Sequence, residues 1–123
     1  GSEPSDRYYI HLPVWSEGNA YFNGAAPWKK EKNALVDDSH KVSLSVVEKD
    51  GTWTVQTNLY EVLPEFCVGT ISTETLGMAF EPEQYFENPD GSPIVFNTDY
   101  FGNHRSIRPC VGPFENGEKD FLL

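Results

Sequence analysis

The side chains best suited to chemistry lie in residues 97–105, NTDYFGNHR, where amide, carboxylate, phenol, imidazole and guanidinium groups follow one another closely. They come directly after an apolar run in which Ile94 and Phe96 are expected to point into the core. The polar set should therefore occupy a strand end or the loop beyond it. Amides and carboxylates beside an aromatic ring can hydrogen-bond the neighbouring hydroxyl groups of a sugar. The candidate ligand-binding residues of this segment are Asn97, Asp99, Tyr100, His104 and Arg105.

Two other interpretations of the same segment stay open. Arg105 can either bridge ligand hydroxyls or pair with Asp99 and pin the loop, and turn formers such as Gly102 and its neighbours also occur for structural reasons alone. Oxygen atoms of Asp90, Asp99 and Asn97, together with backbone carbonyls, are also suitable ligands for a structural Ca²⁺. No other cofactor is expected.

Trp28 is a second candidate, because it follows Pro27 in a lysine-rich loop that has no apolar periodicity. An exposed indole offers a flat apolar face on which the C–H face of a sugar ring can stack. The alternative is that Trp28 folds back as a lid over the core, since large rings are seldom left fully exposed.

Residues 8–15 alternate with the period of two that is typical of a strand. The even-numbered positions are apolar and are predicted to be buried, which leaves Tyr9, His11 and Trp15 on the other face. Next-but-one residues on such a face, as Tyr9 and His11 are, lie about 6.6–7 Å apart, which is near the length of a sugar residue. The alternative is that a second sheet, or another part of a longer protein, covers this face.

The clearest element is a hairpin, because VSLSVVEK (42–49) and TWTVQT (52–57) flank Asp50-Gly51. This dipeptide is favoured in the type I′ turn of a tight hairpin. Side chains that share a face are predicted to be buried together. They are Val42, Leu44 and Val46 on the first strand, and Trp53 and Val55 on the second.

Weaker strand patterns occur at 19–22, 66–72, 94–97, 105–107 and 121–123, with a turn at 88–91 and one helical turn or a loop within 74–83. About eight short strands separated by turns predict an all-β fold, an antiparallel β-sandwich of jelly-roll type with little helix. Residues 1–5 are predicted to be a tag remnant and linker, and residues 6–123 a single sandwich module of a longer protein.

The net charge of -10 arises from 19 acidic and nine basic residues, and the basic residues form no long stripe. Nucleic acid and anionic membranes are therefore excluded as expected partners. No apolar run approaches the ~20 residues of a membrane span. Cys67 and Cys110, the two cysteines of the chain, cannot make a structural zinc site alone. They are predicted to be thiols, with one disulfide as the alternative.

Catalytic motifs are absent from the sequence: it contains no Gly-x-Ser-x-Gly, no His-Glu-x-x-His and no phosphate-binding glycine loop. Acidic pairs such as Glu81 and Glu83 are interpreted as solvated loop carboxylates rather than as the acid and base of a glycosidase. The chain is therefore predicted not to be an enzyme by itself.

Together these features resemble the small, acidic β-sandwich carbohydrate-binding modules that are attached to secreted bacterial glycoside hydrolases. The resemblance implies a non-catalytic module that binds a polysaccharide or oligosaccharide, is covalently linked to a catalytic domain, and is extracellular or at the cell surface. The alternative is a structural or interaction β-sandwich domain without a ligand of its own. The residues predicted to bind the ligand are Trp28, Trp15, Tyr9, His11, Asn97, Asp99, Tyr100, His104 and Arg105.

Overall fold

The computed structural model describes residues 14–63, 66–115, 117 and 120–122. The chain divides into two compact units. The smaller unit consists of Gly1–Trp15 and Ile71–Phe96, and the larger unit consists of Ser16–Thr70 and Asn97–Leu123. The larger unit is thus built from two separate stretches of sequence.

Two short strands of the larger unit, β1 (Ala20–Phe22) and β2 (Leu35–Asp37), pair in parallel with Ala20 opposite Leu35. A parallel pair needs a crossover of about a dozen residues, and residues 23–34, which include Trp28, supply it. The pairing differs from the antiparallel one that was expected. A strand as short as β2 shows no alternation in the sequence, so its partner and direction could not be predicted.

The predicted hairpin is confirmed as β3 (Leu44–Lys49) and β4 (Thr52–Thr57), which pair antiparallel with Lys49 opposite Thr52. Asp50 and Gly51 both have positive φ, at 53° and 78°, as a type I′ turn requires. The sheet is completed by β5 (Asp120–Leu122), which pairs antiparallel with β4 and corresponds to the strand predicted at the end of the chain.

The expected burial of this hairpin is wrong. Leu44, Val46 and Trp53 share one face, as the pairing of Val46 with Val55 requires, but they are 67%, 51% and 51% exposed. Every residue of β3 is exposed, whereas Val55 and Thr57 on that face of β4, and Val42 before β3, are half-buried. Alternation shows which side chains share a face of a strand. Burial depends in addition on a second layer, which the sequence of a hairpin does not reveal.

The core of the larger unit lies near the short 3₁₀ turn Leu59–Glu61. Leu63 is 1% exposed and Phe114 is buried, with the ring of Tyr60 6.0 Å from that of Phe114. Gly18 is also buried and has a φ of 70°, and a Cβ added there would lie 2.7 Å from Cγ1 of Val68. Only glycine fits this position without a shift of its neighbours.

The smaller unit contains one helical turn, α1 (Thr73–Leu76), which begins one residue before the predicted range 74–83. Ser72 caps it reciprocally: its hydroxyl accepts from the Thr75 amide at 3.3 Å, and the Thr75 hydroxyl accepts from the Ser72 amide at 2.7 Å. The turn predicted at 88–91 is present, with the Gly91 amide donating to the Asn88 carbonyl. Phe96 was expected to point inward, but its side chain is exposed.

Strands, bridges and turns dominate the described residues, in agreement with the all-β class. The predicted strands at 66–72 and 94–97 are reduced to isolated bridges, Cys67 with Cys110 and Ser72 with Val95, and residues 105–107 form no strand. The described part of the chain holds five strands in two sheets. The sandwich arrangement and the count of about eight strands therefore stay predictions.

Among the described helices, none has the length and apolar character needed to cross a membrane. The predicted boundary after residue 5 lies outside the described residues.

Candidate functional site

Residues 97–105, which we call the Tyr100 loop, form a tight closed loop in the larger unit. Thr98 and His104 pair as an antiparallel bridge. Within it the Asp99 amide donates to the Asn103 carbonyl at 2.9 Å, and the Arg105 amide donates to the Asn97 carbonyl at 2.8 Å. The turn formers noted in the sequence thus bring the predicted site residues of this segment together.

The buried carboxylate of Asp99 organises the Tyr100 loop from within. Its Oδ1 accepts from the amides of Phe101 at 2.9 Å and Asn103 at 2.8 Å. Its Oδ2 accepts from Nδ2 of Asn103 at 3.1 Å and from the Glu115 amide at 3.1 Å. Four donors occupy the acceptor positions of this carboxylate. Asp99 therefore positions the loop and has little capacity left for hydroxyl groups of a ligand.

The pKa of Asp99 reflects two opposed effects. Burial raises the pKa, but the hydrogen bonds from Glu115, Asn103 and Phe101 favour the charged form and outweigh burial, so the pKa lies below its ordinary value of 3.8. The loop is thus built around a carboxylate that is charged at neutral pH.

Arg105 fixes the other side of the loop. Its guanidinium donates to the carbonyl oxygens of Cys110, at 3.2 Å, and Gly112. The Tyr100 amide also donates to the Pro113 carbonyl at 2.8 Å. Arg105 therefore does not form the ion pair with Asp99 that was one of the two alternatives, and it ties the loop to residues 110–113 instead.

The outer surface of the Tyr100 loop is aromatic. Tyr100 is 67% exposed, and Phe101 and His104 are also exposed. The ring of Phe101 stacks on that of buried Phe114 at 5.1 Å and 16°, and the Tyr100 ring meets both edge-on, at 5.3 Å and 6.0 Å. Two rings that are held by a buried neighbour and partly open to water form a rigid apolar platform.

Phe101 was missed at the sequence level. Neighbouring residues in a strand point to opposite faces, whereas the turn at Asp99–Gly102 brings Tyr100 and Phe101 against the same buried ring, that of Phe114. The signal that could have found it is the position of Phe101 inside a turn-forming segment.

Residues 25–34 form a second aromatic loop, the Trp28 loop. Trp28 is 40% exposed, so it does not form a lid sealed over the core. Nζ of Lys30 lies 5.6 Å from the centroid of its ring, within the range of a cation–π contact. The Glu31 amide donates to the Trp28 carbonyl at 2.8 Å, which closes a turn directly after the indole.

The carboxylate of Glu31 anchors the Trp28 loop. Oε1 accepts from the amide and Nδ2 of Asn19 at 3.2 Å and 2.7 Å, and Oε2 accepts from the hydroxyls of Ser16 at 3.0 Å and Tyr21 at 2.5 Å. The bond from Tyr21 is the largest cause of a lowered Glu31 pKa, against an opposing effect of burial, and the same bond raises the pKa of Tyr21. No local pattern in the sequence indicates this network, since its donors lie 10–15 residues before Glu31.

Trp15 belongs to the smaller unit, and its side chain is 65% exposed. Val14 was predicted to lie on the buried face of that segment, but it is exposed too. Tyr9 and His11, the other members of the predicted row, lie outside the described residues.

Asp90 and Asp99, two of the proposed Ca²⁺ ligands, both accept hydrogen bonds from the protein. Asp90 accepts from the amide and hydroxyl of Ser92 at 3.0 Å and 2.6 Å, and the Asp99 carboxylate is held as described above. Within the described ranges, no three His, Cys, Asp or Glu side chains come together as a metal site. Oδ1 of Asp90 and both oxygens of Asp99 thus accept hydrogen bonds from N–H or O–H donors of the protein.

No protein-family model and no curated protein matches the chain. Among solved structures, the chain is similar to XylC, in a structure described as the complex of XylC with xylose. The two share 27% sequence identity with a TM-score of 0.73, over 90% of this chain and 18% of the XylC chain. This chain therefore spans less than a fifth of XylC and is related in fold to a segment of a larger protein that was studied with a sugar.

Proposed function

We propose that this chain is a non-catalytic carbohydrate-binding module that holds a polysaccharide or oligosaccharide on the exposed rings of the Tyr100 loop and on Trp28. The observation that carries the proposal is the similarity to XylC, described in complex with xylose. The ligand class that follows is a saccharide built from xylose or similar pyranose units.

The geometry of the Tyr100 loop supports this function. A pyranose ring has an apolar C–H face that packs on an aromatic ring and an edge of hydroxyl groups that need polar partners. The exposed rings of Tyr100 and Phe101 supply the first, and the exposed side chains of Asn103 and His104 lie in the same loop to supply the second. The hydrogen bonds of Asp99 and Arg105 hold these groups in place before a ligand arrives, which lowers the entropy lost on binding.

The module would act as part of a longer secreted protein, outside the cell or at its surface, joined to a glycoside hydrolase domain. The 18% of XylC that the chain spans supports only the part of this proposal that places the module in a longer protein. Tethering increases the effective concentration of substrate near the catalytic domain without changing the chemical step. We retain the β-sandwich as the proposed architecture of the whole module.

Isothermal titration against soluble xylo-oligosaccharides, with β-glucan, mannan and pectin fragments as comparisons, tests the proposal. We expect weak binding that is reduced about tenfold or more by Tyr100→Ala, since the main stacking surface is lost. Val47→Ala is a matched control, because Val47 is an exposed apolar residue outside both aromatic loops. Titrations without heat for every glycan would contradict the proposal.

A second candidate function is a docking domain without a ligand of its own. It is favoured by the exposed apolar side chains of Leu44, Val46 and Trp53 on one face of the β3–β4 hairpin, because an exposed apolar face of this kind marks an interaction surface. This function predicts that the fluorescence of Trp53 is quenched by acrylamide in the isolated chain and protected from quenching in the longer protein. It also predicts that Tyr100→Ala changes neither result. Glycan binding lost on Tyr100→Ala would favour the first function.

A further inference from the structure

Cys67 and Cys110 face each other across an isolated antiparallel bridge of the larger unit. The hydrogen bonds on either side run from the Val68 amide to the Pro109 carbonyl, at 3.1 Å, and from the Val111 amide to the Phe66 carbonyl, at 3.3 Å. The two cysteines thus occupy a non-hydrogen-bonded pair, in which Cα atoms lie about 4.5 Å apart and side chains approach most closely. That separation falls within the range of about 4.4–6.8 Å seen for disulfides.

The sulfur atoms of the two side chains are also close to each other. The two Sγ atoms lie 3.4 Å apart. Arg105 fixes the backbone beside them, since its guanidinium donates to the Cys110 carbonyl at 3.2 Å. Both cysteines are half-buried, which limits their access to cysteines of other chains.

The position of the pair in the chain gives it a structural consequence. Cys67 lies in the stretch Ser16–Thr70 and Cys110 in the stretch Asn97–Leu123, and the larger unit is assembled from these two stretches. The chain leaves the unit between them, through Ile71–Phe96. A bond between the two sulfurs would join both halves of the larger unit and close a loop with a sequence separation of 43 residues.

We propose that Cys67 and Cys110 form an oxidative cross-link site, which a disulfide oxidant converts to an intramolecular disulfide that joins the two stretches of the larger unit. In the first step the thiolate of one cysteine attacks glutathione disulfide, which forms a mixed disulfide and releases one glutathione thiolate. In the second step the other cysteine's thiolate attacks the protein sulfur of the mixed disulfide and releases the second glutathione. The protein loses two electrons and two protons, and one glutathione disulfide is reduced to two glutathione molecules.

The cross-link stabilises the folded chain because it restricts the unfolded one, and the effect is large for long loops. It does not depend on the proposed carbohydrate function. A secreted protein would meet the required oxidising conditions, whereas in a reducing compartment the pair would stay in the thiol form.

The test incubates the whole chain with glutathione disulfide at mildly alkaline pH and measures thiols and mass after denaturation. We expect both thiols to disappear, the mass to fall by two hydrogen atoms, and the product to remain monomeric. Cys67→Ser and Cys110→Ser are the matched controls and should instead form glutathione adducts or linked dimers. Wild-type chains that keep both thiols, or that form adducts or dimers as readily as the single variants, would overturn the proposal.

Limited proteolysis gives a second measurement that needs no variant. After oxidation, chains cut within residues 71–96 should run as one species on a non-reducing gel and as two after reduction. The oxidised chain should also melt several degrees above the reduced chain. Fragments that separate without reductant would contradict a link between Cys67 and Cys110.

Discussion

The Tyr100 loop and the Trp28 loop present aromatic rings on the same unit but are anchored differently. Each is organised by one carboxylate that accepts four hydrogen bonds, Asp99 in the first and Glu31 in the second. Three of the four donors to Asp99 are backbone amides, from Phe101, Asn103 and Glu115. Three of the four donors to Glu31 are side chains, from Ser16, Asn19 and Tyr21.

The difference determines how easily each loop is disturbed. Backbone donors remain when a side chain is exchanged, so the Tyr100 loop depends mainly on Asp99 itself. Side-chain donors are removed one at a time, so the Trp28 loop should weaken in small steps. Asp99 is also buried whereas Glu31 is half-buried, so water can replace partners of Glu31 more readily.

The largest effect is expected from Asp99→Ala compared with Glu31→Ala. Removal of the Asp99 carboxylate leaves backbone amides without acceptors in a buried position, which is costly. We expect the Tm of Asp99→Ala to fall by roughly 10 °C and that of Glu31→Ala by roughly 3 °C. Thermal unfolding monitored by circular dichroism measures both, and equal shifts would remove the distinction between the loops.

Gly18→Ala tests the base of the Trp28 loop, because the Gly18 amide donates to the Lys32 carbonyl at 3.1 Å. The added methyl group meets Val68 in a backbone conformation with positive φ, and we expect a loss of about 3 kcal/mol. Gly51→Ala is the control, since Gly51 has a similar φ but open space around it. Its loss should be about 1 kcal/mol. Urea unfolding that gave the same loss for both variants would show that the contact with Val68 is unimportant.

Asp99 and Glu31 should both contribute to the dependence of stability on pH. Both have a pKa that is lowered in the folded protein, Asp99 below 3.8 and Glu31 below 4.5. The folded state then binds fewer protons than the unfolded state, so the stabilisation is complete above these ordinary values and is lost as the pH falls through the lowered ones. Asp37 and Asp90, whose pKa values are also lowered, should contribute to the same decline.

Urea unfolding between pH 7 and pH 3 should therefore show a free energy of unfolding that falls below about pH 4. The double variant Asp99→Asn and Glu31→Gln should show a shallower decline, with the remainder due to other carboxylates. A decline as steep as that of the wild type would contradict the assigned hydrogen bonds.

The smallest effects should come from the loss of one donor in each loop. Tyr21→Phe removes the hydroxyl that contacts Glu31, and Asn103→Ala removes the amide group that contacts Asp99. Each leaves three hydrogen bonds on its carboxylate, and we expect Tm to fall by about 1–3 °C. Tyr21→Phe should also raise the pKa of Glu31, which NMR titration of its side chain would detect. An unchanged pKa would count against the contact.

The sequence predicted local features, such as turns, better than it predicted which faces of a sheet are covered by other parts of the protein. The Asp50-Gly51 turn determined the hairpin because few residues adopt positive φ at both turn positions. The polar and turn-forming residues at 97–105 predicted a strand end or the loop beyond it. The exposure of Trp53 and Leu44 could not be predicted, because burial depends on what lies over a sheet. The roles of Asp99 and Arg105 inside the loop also required coordinates, since a carboxylate that binds a ligand and one that holds amides have the same sequence pattern.

The central claim is that exposed rings of the Tyr100 loop, held in place by Asp99, bind a saccharide. The most direct test is to follow backbone amide shifts by NMR while xylohexaose is added to the chain. Binding at this loop predicts that the largest shift changes cluster at residues 99–104 and saturate, and that Tyr100→Ala raises the sugar concentration needed for saturation about tenfold or more. Saturating shift changes confined to the β3–β4 hairpin, or no shift changes at any concentration of the sugar, would contradict the account.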